Sequence, residues 1–163
     1  MKILASILCF LTWGTLLHAQ SDTIAEHYKT RHIDAAIFHA GQEIKGISDK
    51  YQPNRFTPTH DQINLMEKIL KGNRTQLDSL NSRFPLVARH LSKYKRQYLG
   101  YTNTKGHKII YMNCFRVYKE DRSDFDYWRK KWIIVCDGGE DYWQACFDLN
   151  TGKFYLVSIN GYA

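Results

Sequence analysis

Cys136 and Cys146 lie on either side of Gly138-Gly139 in WIIVCDGGEDYWQACFDL, residues 132–149. Two thiols at this spacing suit a disulfide across a hairpin, a redox couple or part of a metal site. No C-x-x-C pair marks a redox motif, and no histidine lies near either cysteine in sequence to complete a zinc site. A tight turn at Gly138-Gly139 sets Cys136 opposite Asp141. A wider loop, Asp137 to Asp141, sets it opposite Cys146 and permits a bridge. Three outcomes stay open: a Cys136–Cys146 disulfide, a bridge from Cys114 to either one, and unbridged thiols acting as small buried hydrophobes. Nothing in these spacings calls for a cofactor or a metal.

His27, His32, His39, His60, His90 and His107 form no H-E-x-x-H or other ligand pair. His90 reads as a helix-flank residue and His107 as part of a turn before a strand. Acids cluster at Glu120, Asp121, Asp124 and Asp126, and again at Asp137, Glu140 and Asp141. The first run lacks the glycine and terminal glutamate of a calcium loop. Both runs read as solvated turns, whereas paired carboxylates that cleave glycosides need a cleft. Among basic residues, Arg89, Lys93 and Arg96 recur at spacings of four and three, with Tyr94 and Tyr98 interleaved. On one helix they make a surface for phosphate or an acidic partner. The plainer reading is cations complementing a helix C-terminus.

These residues need elements to position them. Residues 21–32 are polar, a short helix or a lead-in. Residues 33–40 suit a strand or a buried turn, and 41–55 a loop with one edge strand. Apolar spacing at Ile63, Met66, Leu70, Leu77 and Leu80 predicts a helix over 58–80, capped by Thr57 with Pro58 in the first turn and weakened at Gly72-Asn73. Val87, Leu91, Tyr94 and Tyr98 predict a second helix over 85–99, stopped by Gly100. Strands follow at 108–118, from 128 or 131 to 136, at 142–149 and at 154–159. The expected fold is α+β, two helices packed on a four-stranded antiparallel meander. Trp143, Ala145, Phe147 and Leu149 share the core face, and Cys146 lies on the other face or in a secondary core.

Lys2, the apolar run Ile3 to Leu17 and small Ala19 have the layout of a secretory signal peptide over 1–19, too short for a membrane anchor. Residues 20–163 then make a single domain in the periplasm or outside the cell. Losing the leader, whose one charge is Lys2, lowers the net charge from +7 to +6. That balance permits acidic partners without specifying one. Export argues against nucleic acid as the ligand, and no stable membrane insertion is expected after leader cleavage.

YKRQYLGYTNTKGHKIIYMNCF (94–115), DGGEDYWQACFDLNTGKF (137–154) and the final Asn-Gly resemble a group of small exported proteins of Bacteroidota. The resemblance covers about residues 56–163 and implies export, but it carries over no catalytic or binding residue. The helix-then-meander order also resembles cystatin-like and nuclear-transport-factor-like domains, folds that host binding, inhibition and catalysis alike. The favoured function is a non-catalytic binding or interaction domain for a protein or a small anionic ligand. The alternatives are a small hydrolase-like enzyme with a pocket between helices and sheet, and a secreted inhibitor or immunity-type protein presenting Tyr142 or Trp143.

Overall fold

The structure is a computed structural model that describes residues 24–48, 51, 54–118 and 127–162. The signal-peptide reading of 1–19 and the acidic run 120–126 lie outside these residues. The fold is α+β, but among the described residues the sheet has seven strands: β1 (Glu26–Lys29), β2 (Asp34–Ile37), β3 (Arg55–Phe56), β4 (Tyr94–Thr102), β5 (Lys108–Arg116), β6 (Tyr142–Asp148) and β7 (Lys153–Ile159). Their order is β1-β2-β4-β5-β6-β7, with β3 beside the far end of β4. β4 to β7 form the antiparallel meander, while β2 runs parallel to β4. Parallel neighbours need a long crossover. Here it contains α1 (His60–Gly72), α2 (Arg74–Leu80) and α3 (Phe84–Ala88).

The first predicted helix is real but divided. Thr59, not Thr57, caps it, in a reciprocal capping box with Gln62. Asn73 ends α1 by donating its backbone N–H to Ile69, and its side chain accepts from the Gln76 amide to start α2. Ile63, Met66, Leu70 and Leu77 then point into one core with Tyr98, Met112, Trp143 and Phe147.

The second predicted helix is overturned. Only Phe84–Ala88 is α-helical; a 3₁₀ turn covers Leu91–Lys93, and Tyr94 opens a nine-residue strand. Gly100 is therefore not a helix stop. It sits in β4 facing Phe56, where a Cβ would come within 2.6 Å of the Phe56 carbonyl oxygen.

The predicted strand ending at Cys136 is also absent. Tyr127–Lys130 is a short helix, α4, and 131–138 is irregular. This segment is a strap over the sheet face opposite α1–α3. There Trp128 and Trp132 join Phe38, Leu99, Tyr101, Ile109, Phe115 and Cys146 in a second core. The sheet is thus covered on both faces, and Trp143 and Cys146 divide between the two cores as alternation predicts.

The strap's backbone pairs with side chains instead of a strand. Gln97 donates to the carbonyls of Trp128 (2.6 Å) and Lys131 (2.7 Å) and accepts from the Ile133 amide (2.9 Å). Asn113 donates to the Ile133 carbonyl at 2.9 Å and to the Gln97 side chain at 3.0 Å. Asn160 donates to the carbonyls of Val135 (2.6 Å) and Asp137 (3.0 Å). Gln97 is in register with Asn113, and Asn113 with Gln144. Gln144 reaches Asn113 at 3.5 Å and Asn160 at 3.4 Å. One row of amides therefore crosses the sheet and holds the strap from Trp128 to Asp137.

The β7 edge is closed in a similar way. Gln76 donates to the Phe154 carbonyl at 3.3 Å, Asn81 to Val157 at 3.2 Å and Arg83 to Asn160 at 3.0 Å. Occupied carbonyls deny that edge to a foreign strand.

Candidate functional site: a basic cleft with an aromatic rim

At the end of the sheet where β5 finishes and β6 starts, an open cleft of about 520 Å³ has Leu86, Arg89, His90, Arg116, Tyr118, Glu140, Asp141 and Tyr162 in its lining. Four segments supply it: α3 with the turn after it, the end of β5 with the residues after it, the strap's end where it enters a 3₁₀ turn at Gly139–Asp141, and the residues after β7. Gly138 and Gly139 have φ of +89° and +56°, the left-handed region that favours glycine. A Cβ on Gly138 would lie 2.5 Å from the Tyr142 ring, and one on Gly139 would lie 2.2 Å from the Tyr162 ring. The Gly139 amide donates to the Gly161 carbonyl at 2.9 Å. The glycines do take positive φ, but they join strap to strand and do not turn a hairpin.

The acids of the cleft are engaged. Arg83 Nη2 donates to Glu140 Oε1 at 2.8 Å, and this hydrogen bond foremost holds the Glu140 carboxyl below its ordinary value. Arg116 Nη1 lies 3.1 Å from Asp141 Oδ1, and the Tyr118 hydroxyl donates to Asp141 Oδ2. That bond to Asp141 is the leading reason the Tyr118 hydroxyl is pushed up. Tyr94 donates to the Glu140 carbonyl at 2.7 Å, and burial pushes its hydroxyl up to about 12. Arg116 also packs over the Tyr94 ring, 5.0 Å from its centroid.

The cations of the turn after α3 are different. The side chains of Arg89, His90 and Lys93 have no hydrogen bond or ion pair among the described residues, and Arg89 and Lys93 are exposed. Desolvation, then the charges of Lys93, Arg116 and Arg89, hold His90 below the ordinary histidine value. Beside them Leu86, Tyr118 and Tyr162 are exposed by 43%, 47% and 71%. Among the described residues no serine, threonine or cysteine is in the lining, and no carboxylate hydrogen-bonds to His90. The described side chains of the lining thus present charge and apolar surface to solvent.

The basic triplet is thus split. Arg89 and Lys93 remain together near His90, but Arg96 does not join them. It sits in β4 on the helix side of the sheet, 0% exposed, with Nε 2.8 Å from Glu67 Oε1. Arg116, Tyr118 and Tyr162 were not legible as cleft residues, because they come from segments far apart in sequence.

Of the three outcomes open for the thiols, the structure has them unbridged. None of Cys114, Cys136 and Cys146 is in a disulfide. Asn160, which holds the carbonyls flanking Cys136, bonds to Tyr142 at the start of β6. Cys146 is four residues further along, on the order of 13 Å at strand rise. A disulfide needs Cα atoms within about 7 Å. Cys114 and Cys146 lie in different cores, on opposite faces of the sheet.

Other histidines meet acids elsewhere: His27 with Asp34 at 2.8 Å, His60 with Glu26 at 2.5 Å and His107 with Asp148 at 2.7 Å. These pairs join strands, helix and turns. Among the described residues no three metal-ligating side chains gather to hold an ion, and no helix is long and apolar enough to cross a membrane. Trp143, named above as an inhibitor's contact residue, is 0% exposed in the helix-side core. No family model matches the chain, and no curated protein or solved structure matches it either.

Proposed function

We propose that this chain is an exported, non-catalytic binding or interaction domain that engages an anionic partner through the cleft between the α3 turn and the strap's end. One observation supports it above others. Arg89 and Lys93 carry charge with no counterion among the described residues, while the neighbouring acids Glu140 and Asp141 are already held by Arg83 and Arg116. The local field is positive and open to solvent, which favours encounter with an anion. Leu86, Tyr118 and Tyr162 add the apolar exposure typical of an interaction site.

The test is an NMR titration of residues 20–163 with inorganic phosphate, citrate and a short polyglutamate peptide. Shifts should concentrate at 86–93, 116–118, 138–141 and 162. They should weaken strongly in about 0.5 M NaCl, where screening acts over a few ångströms, and in the double variant Arg89→Glu/Lys93→Glu. Affinity for the polyglutamate peptide should rise as pH falls below the ordinary histidine range, because protonation of His90 adds positive charge and a bound anion favours that form. Shifts scattered over the surface with every polyanion would remove the cleft from this reading. Export is checked separately by N-terminal sequencing from the native host, which should begin at or near Gln20; an intact Met1 on soluble cytoplasmic protein would end that part.

A further inference from the structure

We infer that the partner of this cleft is an acidic segment of another protein, one that sets an aromatic side chain next to its carboxylates. The inference rests on the binding reading above and narrows it from anions in general to a peptide. A site for a free small anion converges donors on one point, commonly backbone amides. Here the Gly139 amide, a donor beside the cleft, is taken by Gly161. The cations without counterions among the described residues, Arg89 and Lys93, come from a single turn; Arg89 lines one side of the cleft, and Lys93 stands near His90 outside the lining. The rest of the rim is apolar. Tyr162 is 71% exposed with its ring held against Gly139, and Arg83 packs over that ring at 5.5 Å. Leu86 and Tyr118 are exposed on the same cleft.

A phosphate or citrate ion satisfies the cations and leaves those three side chains in water. An extended chain satisfies both, with carboxylates along the Arg89–Lys93 side and a ring against Tyr162 and Leu86. Because Glu140 and Asp141 are neutralised by Arg83 and Arg116, they do not repel such a segment. The opening is wide for an enclosed small molecule but suits a chain passing through.

The experiment compares the capped peptides Ac-Glu-Asp-Phe-Asp-Glu-NH2 and Ac-Glu-Asp-Ala-Asp-Glu-NH2 with inorganic phosphate, by calorimetry and NMR on residues 20–163. The Phe peptide should bind about tenfold more tightly than the Ala peptide, as one well-placed ring contact provides. Tyr162→Ala and Leu86→Ala, each checked for an unchanged spectrum elsewhere, should erase that difference and leave the phosphate response as it was. Equal binding of the two peptides, with shifts still centred on the cleft, overturns the peptide inference and leaves an anion site standing. Phosphate binding as tightly as the Phe peptide has the same meaning. No cleft response to any probe overturns both readings. Self-association of the chain that protects the same residues would assign the cleft to a second copy and also overturn the inference.

Discussion

Replacing Arg96 by methionine should lower the stability of the fold by about 3–5 kcal/mol, the cost of leaving a buried charge without its partner. Arg96 is 0% exposed and Glu67 is 2% exposed, facing each other between α1 and the sheet. Arg96 Nε stands 2.8 Å from Glu67 Oε1, close enough for strong attraction but not aligned as a hydrogen bond. The bonds of the guanidinium go elsewhere: Nη1 to the Tyr94 carbonyl at 2.9 Å and Nη2 to Leu91 at 2.7 Å. The Tyr98 hydroxyl donates to Glu67 Oε1 at 2.8 Å. Desolvation works against the charge on Arg96, but the Glu67 carboxylate beside it outweighs that and keeps it charged.

The methionine variant strands the Glu67 carboxylate and removes the guanidinium's bonds to two backbone carbonyls. Adding Glu67→Leu removes the stranded charge and should recover at least half of the loss, since apolar pairs often replace buried ion pairs at little cost. Urea midpoints at unchanged slope measure both. A single variant within about 1 kcal/mol of the parent would mean that water reaches the pair.

Arg96 also shows why part of this fold is hidden in the sequence. In YKRQYL, 94–99, the residues that β4 buries on one face are Tyr94, Arg96 and Tyr98, and on the other Gln97 and Leu99. Arginine and glutamine read as exposed by type, so strand alternation is masked. Leu91, Tyr94 and Tyr98 meanwhile fall at helical spacing, and Arg, Gln and Leu are good helix formers. Pairing with β2 and β5 overrides that local preference, and no local window contains those partners. Where burial follows residue type, spacing was sufficient. Ile63, Met66 and Leu70 give α1, and Trp143, Ala145 and Phe147 give the core face of β6.

The cleft was half legible for the same reason. Arg89 and Lys93 are local to one turn, whereas Arg116, Glu140 and Tyr162 converge only once β5, β6 and β7 are side by side. β1, with its polar EHYK, has no apolar alternation to announce it. The strap WIIV resembled a strand because it is apolar and β-branched, yet Trp132 is buried and Ile134 is 53% exposed with no strand beside it.

Gln97→Leu should cost about 2–4 kcal/mol and, unlike Arg96→Met, should act first on the strap and then on the cleft. Gln97 is also 0% exposed, but its side chain points to the opposite face of β4. Its amide is fully used, with two donated and two accepted bonds. Leucine fills a similar volume and removes all four. Buried groups left unpaired cost about 1–3 kcal/mol each. The total is bounded, because the strap can lift and let water reach the carbonyls of Trp128 and Lys131 and the amide of Ile133. Lifting in turn exposes the rings of Trp128 and Trp132, which are buried against Phe115 and Phe38.

The variant should therefore show a red-shifted tryptophan emission and faster amide exchange at Ile133 before global unfolding. The strap continues through Asp137 into Gly138–Asp141, which forms one wall of the cleft. Anion binding should weaken with it, although Gln97 is not in the cleft lining. Asn160→Ala, which frees Val135 and Asp137 at the other end of the amide row, should reproduce the binding loss with a smaller loss of stability. If Gln97→Leu destabilises the whole molecule evenly and Ile133 exchanges only by global unfolding, the amide row is part of the general core. It would then have no separate part in positioning the strap.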